Sequence, residues 1–273
     1  MKWDGDAESS NVEDNRGMGG KLALGGGGIS ILGVIVYLLT GVNFGGGGGQ
    51  GVQEAPPAGP EQQEQVKFVK VVLKYTEEVW GSEFEKHRKR YKQPKLEIFT
   101  GQVQSACGLA DSAVGPFYCP GDDQVYIDLG FFAEMERKLK APGEFARAYV
   151  IAHEVGHHVQ NLIGYSARVK PHDNDGSVRL ELQADYLAGV CLGLANRKHK
   201  FLEQGDIDSA LNAAFQIGDD TLQKRSRGTV TPEKFTHGKS AQRMKYFKEG
   251  FEKPDGWYER LDHFFAVRSS SEL

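Results

Sequence analysis

Residues 148–164 read AYVIAHEVGHHVQNLIG. Apolar side chains recur through and around this stretch at helical period, so a helix is expected from Gly143 to Leu162. On it His153 and His157 stand four residues apart. Residues i and i+4 share a helix face, so both imidazoles can meet a single divalent ion, with nitrogens at about 2.0–2.1 Å. Glu154, one residue after the first histidine, can reach a water on such an ion without binding the ion itself. Ordinary residue frequencies produce this five-residue pattern by chance in on the order of one chain in a hundred of this length. The pattern is therefore read as chemistry.

Two histidines need a third ligand. Metzincins place a glycine three residues past the second histidine and another histidine three beyond that; here those positions hold Gln160 and Ile163, which excludes that branch. The following helix, expected over Val178–Asn196, carries Glu181-Leu182-Gln183-Ala184-Asp185, two carboxylates one turn apart on one face. Glu181 is the candidate third ligand. Asp185 is expected to orient a histidine of the first helix through its second ring nitrogen. Two histidines and one glutamate leave a fourth position for water, the mark of a catalytic rather than a closed site, and one Zn2+ is the expected cofactor. His158, about 100° round the helix from His157, is read as a packing or surface residue.

Working outward, Val66, Val69, Leu73 and Val79 repeat at helical spacing, while Lys95–Val103 and Gln124–Leu129 alternate as half-buried strands do. Helices follow over Phe131–Leu139, Ile207–Arg225 and Ser240–Phe251. The expected fold is α+β, mostly helical, with a small sheet beside the metal-binding helix. Gln124–Leu129 is expected to offer an open sheet edge to an extended peptide. Asp219-Asp220 lacks the glycine and spaced oxygens of a calcium loop and is read as a solvated face. Cys107 and Cys119 flank a Gly/Pro/Ser-rich loop and are close enough to close a ring, so a disulfide is expected, stabilising by roughly 3 kcal/mol in the chain-entropy model. Cys191, within LAGVCLGLA, reads as a small buried hydrophobe.

Many of the 35 glycines gather near the N-terminus, around a charge-free stretch from Leu22 to Phe44. At about twenty residues this is long enough to cross a bilayer as one helix. Residues 1–21 hold too little apolar content to bury anything. Lys2, Arg16 and Lys21 precede the stretch, and no basic residue follows before Lys67, so the positive-inside rule places the N-terminus in the cytoplasm and the remainder outside the inner membrane. Such a compartment permits the disulfide. A Gly/Pro-rich linker is expected over 45–65, one folded domain over 66–268, and a disordered end over 269–273. With a net charge of -4, nucleic acid is not an expected partner.

Three motifs carry a resemblance. HExxH at 153–157, ExxxD at 181–185 and a His-x5-Arg pair at His237 and Arg243 resemble the membrane CAAX-processing and heat-shock zinc proteases, with Gly238 where those families usually have proline. Over nearly the whole chain the sequence is similar to the bacterial neutral zinc metallopeptidase family of YpfJ type, through Ser10-Asn11-Val12-Glu13-Asp14, Gly115-Pro116-Phe117-Tyr118-Cys119-Pro120, His153 to Gln160, Glu181 to Asp185, His237-Gly238 and Gln242-Arg243. The resemblance implies a membrane-anchored zinc endopeptidase acting on peptides or proteins. Within it Glu154 is the general base, His237 a donor to the developing oxyanion, and Arg243 a group that fixes Glu181 or a substrate carbonyl. A tethered binding or scaffold protein with a retained, non-catalytic zinc site is the alternative; it requires a fourth protein ligand.

Overall fold

Pro60 opens the longest helix, α1 (Pro60–Lys86, 27 residues), from its first position, where a missing N–H leaves nothing unsatisfied. The computed structural model describes residues 1–16 and 59–273. The Leu22–Phe44 stretch and most of the expected linker lie outside the described residues, among which no helix is long and apolar enough to cross a membrane. The helix begins six residues ahead of the expected Val66. PEQQEQ is rich in helix-forming residues and has no apolar member to mark a period. Further along, Val69, Val71, Val72, Leu73, Tyr75 and Trp80 are buried.

Four strands form one sheet in the order β1 (Val12–Asp14), β2 (Lys95–Phe99), β6 (Gln124–Asp128), β5 (Phe117–Cys119). β1 and β6 each run parallel to β2, whereas β5 runs antiparallel to β6. The strand expected over Lys95–Val103 breaks at Thr100-Gly101. Its second part, β3 (Gln102–Ser105), turns back as a hairpin with β4 (Gly108–Asp111). Phe99, Val103, Ala110, Phe117, Cys119 and Tyr126 make a small core under this hairpin. The Cys107–Cys119 bond ties it to β5, and Cys191 is a buried free thiol. β6 is paired on both sides, so it is not the open edge expected of it. That edge belongs to β5.

The helical part comprises α2 (Gly130–Arg137), α3 (Glu144–Ile163), α4 (Asn174–His199), α5 (Asp206–Gln216), α6 (Asp219–Arg227), α7 (Ser240–Glu252) and two short turns, α8 (Trp257–Arg260) and α9 (His263–Ala266). α4 starts four residues earlier than its apolar period because the Asp173 side chain caps it, accepting from the Gly176 amide at 2.9 Å. The helix expected over Ile207–Arg225 is two helices. It breaks at Ile217-Gly218, and Asp219 starts a new one. α4 is packed between α3 and α7, with α1 against its side. A dense basic run, KHRKRYK at 86–92, follows α1; Lys86 pairs with Glu83 and Lys92 with Asp123, and Arg88, Lys89 and Arg90 are exposed.

Both chain ends depart from expectation. Residues 269–273 are ordered: Ser270 to Glu272 form a turn, Ser269 and Ser270 bind the Asp175 carboxylate, and Leu273 is buried. The N-terminal segment is part of the domain rather than a separate tail. Trp3 is 6% exposed, meets Phe68 edge to face, and donates from Nε1 to Glu144 Oε1 at 2.8 Å. Ser9 Oγ and Asn11 Nδ2 each lie 2.6 Å from the buried Glu77 Oε1. One indole and a few well-placed donors achieve what mean composition does not suggest. Trp3→Ala is expected to lower unfolding free energy by about 3–5 kcal/mol, as for other buried aromatics. Chemical denaturation measures this, and a loss under about 1 kcal/mol would show that residues 1–16 contribute no core.

Candidate metal centre

Helices α3 and α4 approach closely at Gly156. A Cβ there would stand 3.0 Å from the Ala184 carbonyl oxygen and 3.3 Å from its Cα, so a side chain would need the facing backbone to give by a few tenths of an ångström. Ala184 lies between Glu181 and Asp185. The glycine of the HEVGH stretch thus sets the spacing at which these carboxylates meet the histidines. Glu181 Oε2 is 3.3 Å from His153 Nε2, and Glu181 Oε1 is 3.4 Å from His157 Nε2. The two imidazoles stand nearly perpendicular, with centroids 4.8 Å apart. Donors around one tetrahedral zinc at about 2.1 Å are about 3.4 Å from one another, which the two glutamate–histidine separations match, and all three ligand atoms lie within 4.8 Å of one another. Among the described residues they form a group of three possible metal ligands.

A second observation fits a cation at this place. Glu154 Oε1 and Glu181 Oε2 are buried without a hydrogen-bond partner, and so is His153 Nδ1. Buried carboxylate oxygens are costly to leave unmatched unless a cation or water belongs beside them. They line a cavity of about 20 Å³, with Phe131, Val150 and Ile217 as its apolar wall, room for roughly one water-sized group. His157 is the most open of the three ligands, its side chain 17% exposed against 4% for His153 and 2% for Glu181.

The histidines are held from behind. His157 Nδ1 donates to Gln160 Oε1 at 2.9 Å, and Gln160 Nε2 is anchored on the Leu180 carbonyl and Gln183 Oε1. His153 Nδ1 is 2.9 Å from Asp185 Oδ1, an ion-pair contact that lacks hydrogen-bond alignment. Asp185 also accepts from Tyr149 Oη at 2.6 Å and from Arg243 Nε and Nη2 at 2.8 and 3.0 Å. Arg243, 1% exposed, reaches Glu181 Oε2 at 3.6 Å. It therefore ties the Asp185 carboxylate to Glu181. Burial pulls the Glu181 carboxyl upward, yet His157 and His153 hold it well below the usual carboxylate range, ready to bind a cation. Glu154 goes the other way: burial raises its pKa, and the imidazoles offset only part of that.

His237 is buried at the start of the loop leading into α7. Its Nδ1 lies 3.1 Å from Asp219 Oδ1 and 3.0 Å from Thr236 Oγ1. Asp219 Oδ2 accepts from the backbone amides of Thr236, His237 and Gly238. Burial would lower the imidazole pKa, but Asp219 and the charge of Glu181 raise it. Asp219 is thus the organiser of this loop, not a solvated residue, and Asp220 accepts from Ser240 N and Oγ. Gly238 explains the departure from proline noted above. Its φ is +89°, its amide donates to Asp219, and a Cβ would press on Leu182 at 3.1 Å; proline is locked near -65° and has no N–H to give.

His158 is fully buried, with Nε2 2.6 Å from the Lys92 carbonyl and Nδ1 3.1 Å from Tyr118 Oη. It packs the sheet against α3 and takes no part in the ligand group. The backbone amide of Tyr118, on β5, hydrogen-bonds the Glu154 carboxylate. The sheet edge therefore borders the centre. The roles of Gln160, Tyr149 and Asp219 go beyond the sequence reading: Gln160 is legible as one turn after His157, but Asp219 is eighteen residues from the histidine it holds.

Comparison with known proteins adds the family. The profile described as "Putative neutral zinc metallopeptidase" matches residues 1–256. The chain belongs to that family. It is 45% identical to YpfJ of Escherichia coli strain K12 over 278 aligned residues, covering 93% of this chain and 96% of that protein. It is 42% identical to Rv2575 of Mycobacterium tuberculosis strain H37Rv over 178 residues, 60% of this chain and 61% of that protein. No solved structure matches it significantly. The His153–His157–Glu181 group fits the zinc site that the family's description implies.

Proposed function

We propose that this family member is a zinc-dependent endopeptidase whose substrates are peptides or proteins. The observation that carries the reading is the convergence of His153, His157 and Glu181 with the uncommitted Glu154 Oε1 beside them. Zinc held by these three, with its fourth position open, would supply an activated water and polarise a carbonyl. Glu154, whose carboxylate burial makes more basic, receives the proton lost by the attacking water and passes it to the leaving amine. His237, its ring held by Asp219, donates to the oxygen that gains charge. Asp185, Tyr149, Arg243 and Gln160 keep the imidazoles in place. An extended substrate is expected to lie along the free edge of β5, whose Tyr118 backbone faces Glu154.

Digestion of a complex peptide mixture by the purified full chain, with and without a chelator, tests the reading. New termini that form only in the untreated sample support it; identical peptide maps would refute it. His237→Phe is expected to lower kcat about 10²-fold to 10³-fold with zinc content and KM little changed, as for a lost oxyanion donor. Steady-state kinetics on one cleaved peptide decides this, and an unaltered kcat would remove His237 from the mechanism.

A further inference from the structure

We infer that residues 1–16 and the metal centre lie in one compartment, on the same side of any membrane the chain engages. The positive-inside reading sets them on opposite sides, with one crossing between. The packing of the first sixteen residues argues against that arrangement. β1 adds to the sheet at β2, Val12 opposite Leu96 and Asp14 opposite Ile98, with backbone bonds from Leu96 N to Asn11 O and from Asn15 N to Ile98 O, each 2.9 Å. Trp3 is bonded to Glu144, the first residue of the helix that carries His153 and His157. Tyr75 Oη donates to the Asp6 carboxylate, and the Lys2 amide donates to the Phe201 carbonyl at 2.7 Å. Contacts therefore run from one end of the segment to the other, to α1, α3, the sheet and the loop after α4.

Two further details agree. Arg16 Nη1 lies 3.5 Å from Gln62 Oε1, so the last described residue before position 17 meets the start of α1. Of the cations that favoured a cytoplasmic N-terminus, Arg16 has a local role. Arg16 makes two 2.7 Å bonds to Asp14, a charge pair that belongs to the domain surface rather than to an anionic lipid face. Pulling this segment through a bilayer would bare Trp3 and leave Glu77, buried at 5% exposure, without Ser9 and Asn11.

The test uses the full chain expressed in intact bacterial cells, with Ser10→Cys and Arg90→Cys as separate variants, both at exposed positions. A charged, membrane-impermeant maleimide is applied before and after lysis, with the unsubstituted chain as background. The two positions are expected to behave alike, both labelled in intact cells or both protected until lysis. Labelling of one and protection of the other would overturn the inference. The pair Asn11→Cys/Gln93→Cys supplies an independent measurement, because those side chains meet at 2.9 Å and should be cross-linked by a short, membrane-permeant bis-maleimide in the same cells. Equal labelling without that cross-link would also overturn it, since docking of the segment would then not be what places it. Neither readout depends on peptidase activity.

Discussion

Glu154→Gln is expected to keep zinc and lose hydrolysis, with kcat falling by about 10²-fold to 10⁴-fold, the range for a positioned general base. Glutamine has the same shape, so it fills the same place beside Val150 and can still accept from the Tyr118 amide. What it lacks is an oxygen that takes a proton. Oε1 of Glu154 has no partner of its own, so replacing it breaks no structural bond, and stability should be unchanged or slightly raised by removing a buried charge. Zinc content per chain and kcat on one cleaved peptide, measured on the same preparation, check the prediction. Undiminished turnover would show that another group moves the proton. Loss of zinc together with activity would show that Glu154 is a ligand instead.

Glu181→Ala is expected to abolish stoichiometric zinc binding. It removes the only carboxylate of the ligand group and leaves two imidazoles on one helix. Losing a group that merely orients a ligand typically weakens metal affinity about 10-fold to 100-fold, and losing the ligand itself should exceed that. Two readouts separate the outcomes. Mass spectrometry under native conditions should show the wild-type chain with one zinc and the variant with none. Added zinc should raise the melting temperature of the wild-type chain by mass action and leave that of the variant unmoved. A variant that still carries one zinc and still responds to it would eliminate Glu181 as a ligand, and with it the three-residue site.

The two predictions rest on parts of the molecule that a reader of the bare sequence can find. HExxH needs one helix, and a four-residue spacing presents two side chains together whatever the rest of the chain does. ELQAD obeys the same local rule on the next helix. What local spacing does not specify is the distance between those helices, and here it depends on a single missing side chain at Gly156 against Ala184. Asp219 marks the limit more sharply. On a predicted continuous helix it reads as half of a solvated acidic pair. The break at Ile217-Gly218 turns it inward, where its carboxylate gathers three amides and one imidazole from a loop eighteen residues later. Sheet edges fail for a similar reason: whether β6 or β5 is outermost is decided by strand order, and strand order leaves no trace in alternation along one strand.

Residue identity and period alone determined the helical character of the chain, the metal-binding helix, the carboxylate pair that follows it, and the disulfide partners, because each is governed by neighbours a few positions away. Tertiary structure alone decided that Asp219 serves His237, that β5 borders Glu154, that Arg243 grips Asp185, and that the first sixteen residues belong to the domain. Those outcomes come from contacts between segments tens to hundreds of residues apart, where the deciding quantity is the burial and partnering of one side chain such as Trp3, and average polarity of the surrounding sequence carries no information about it.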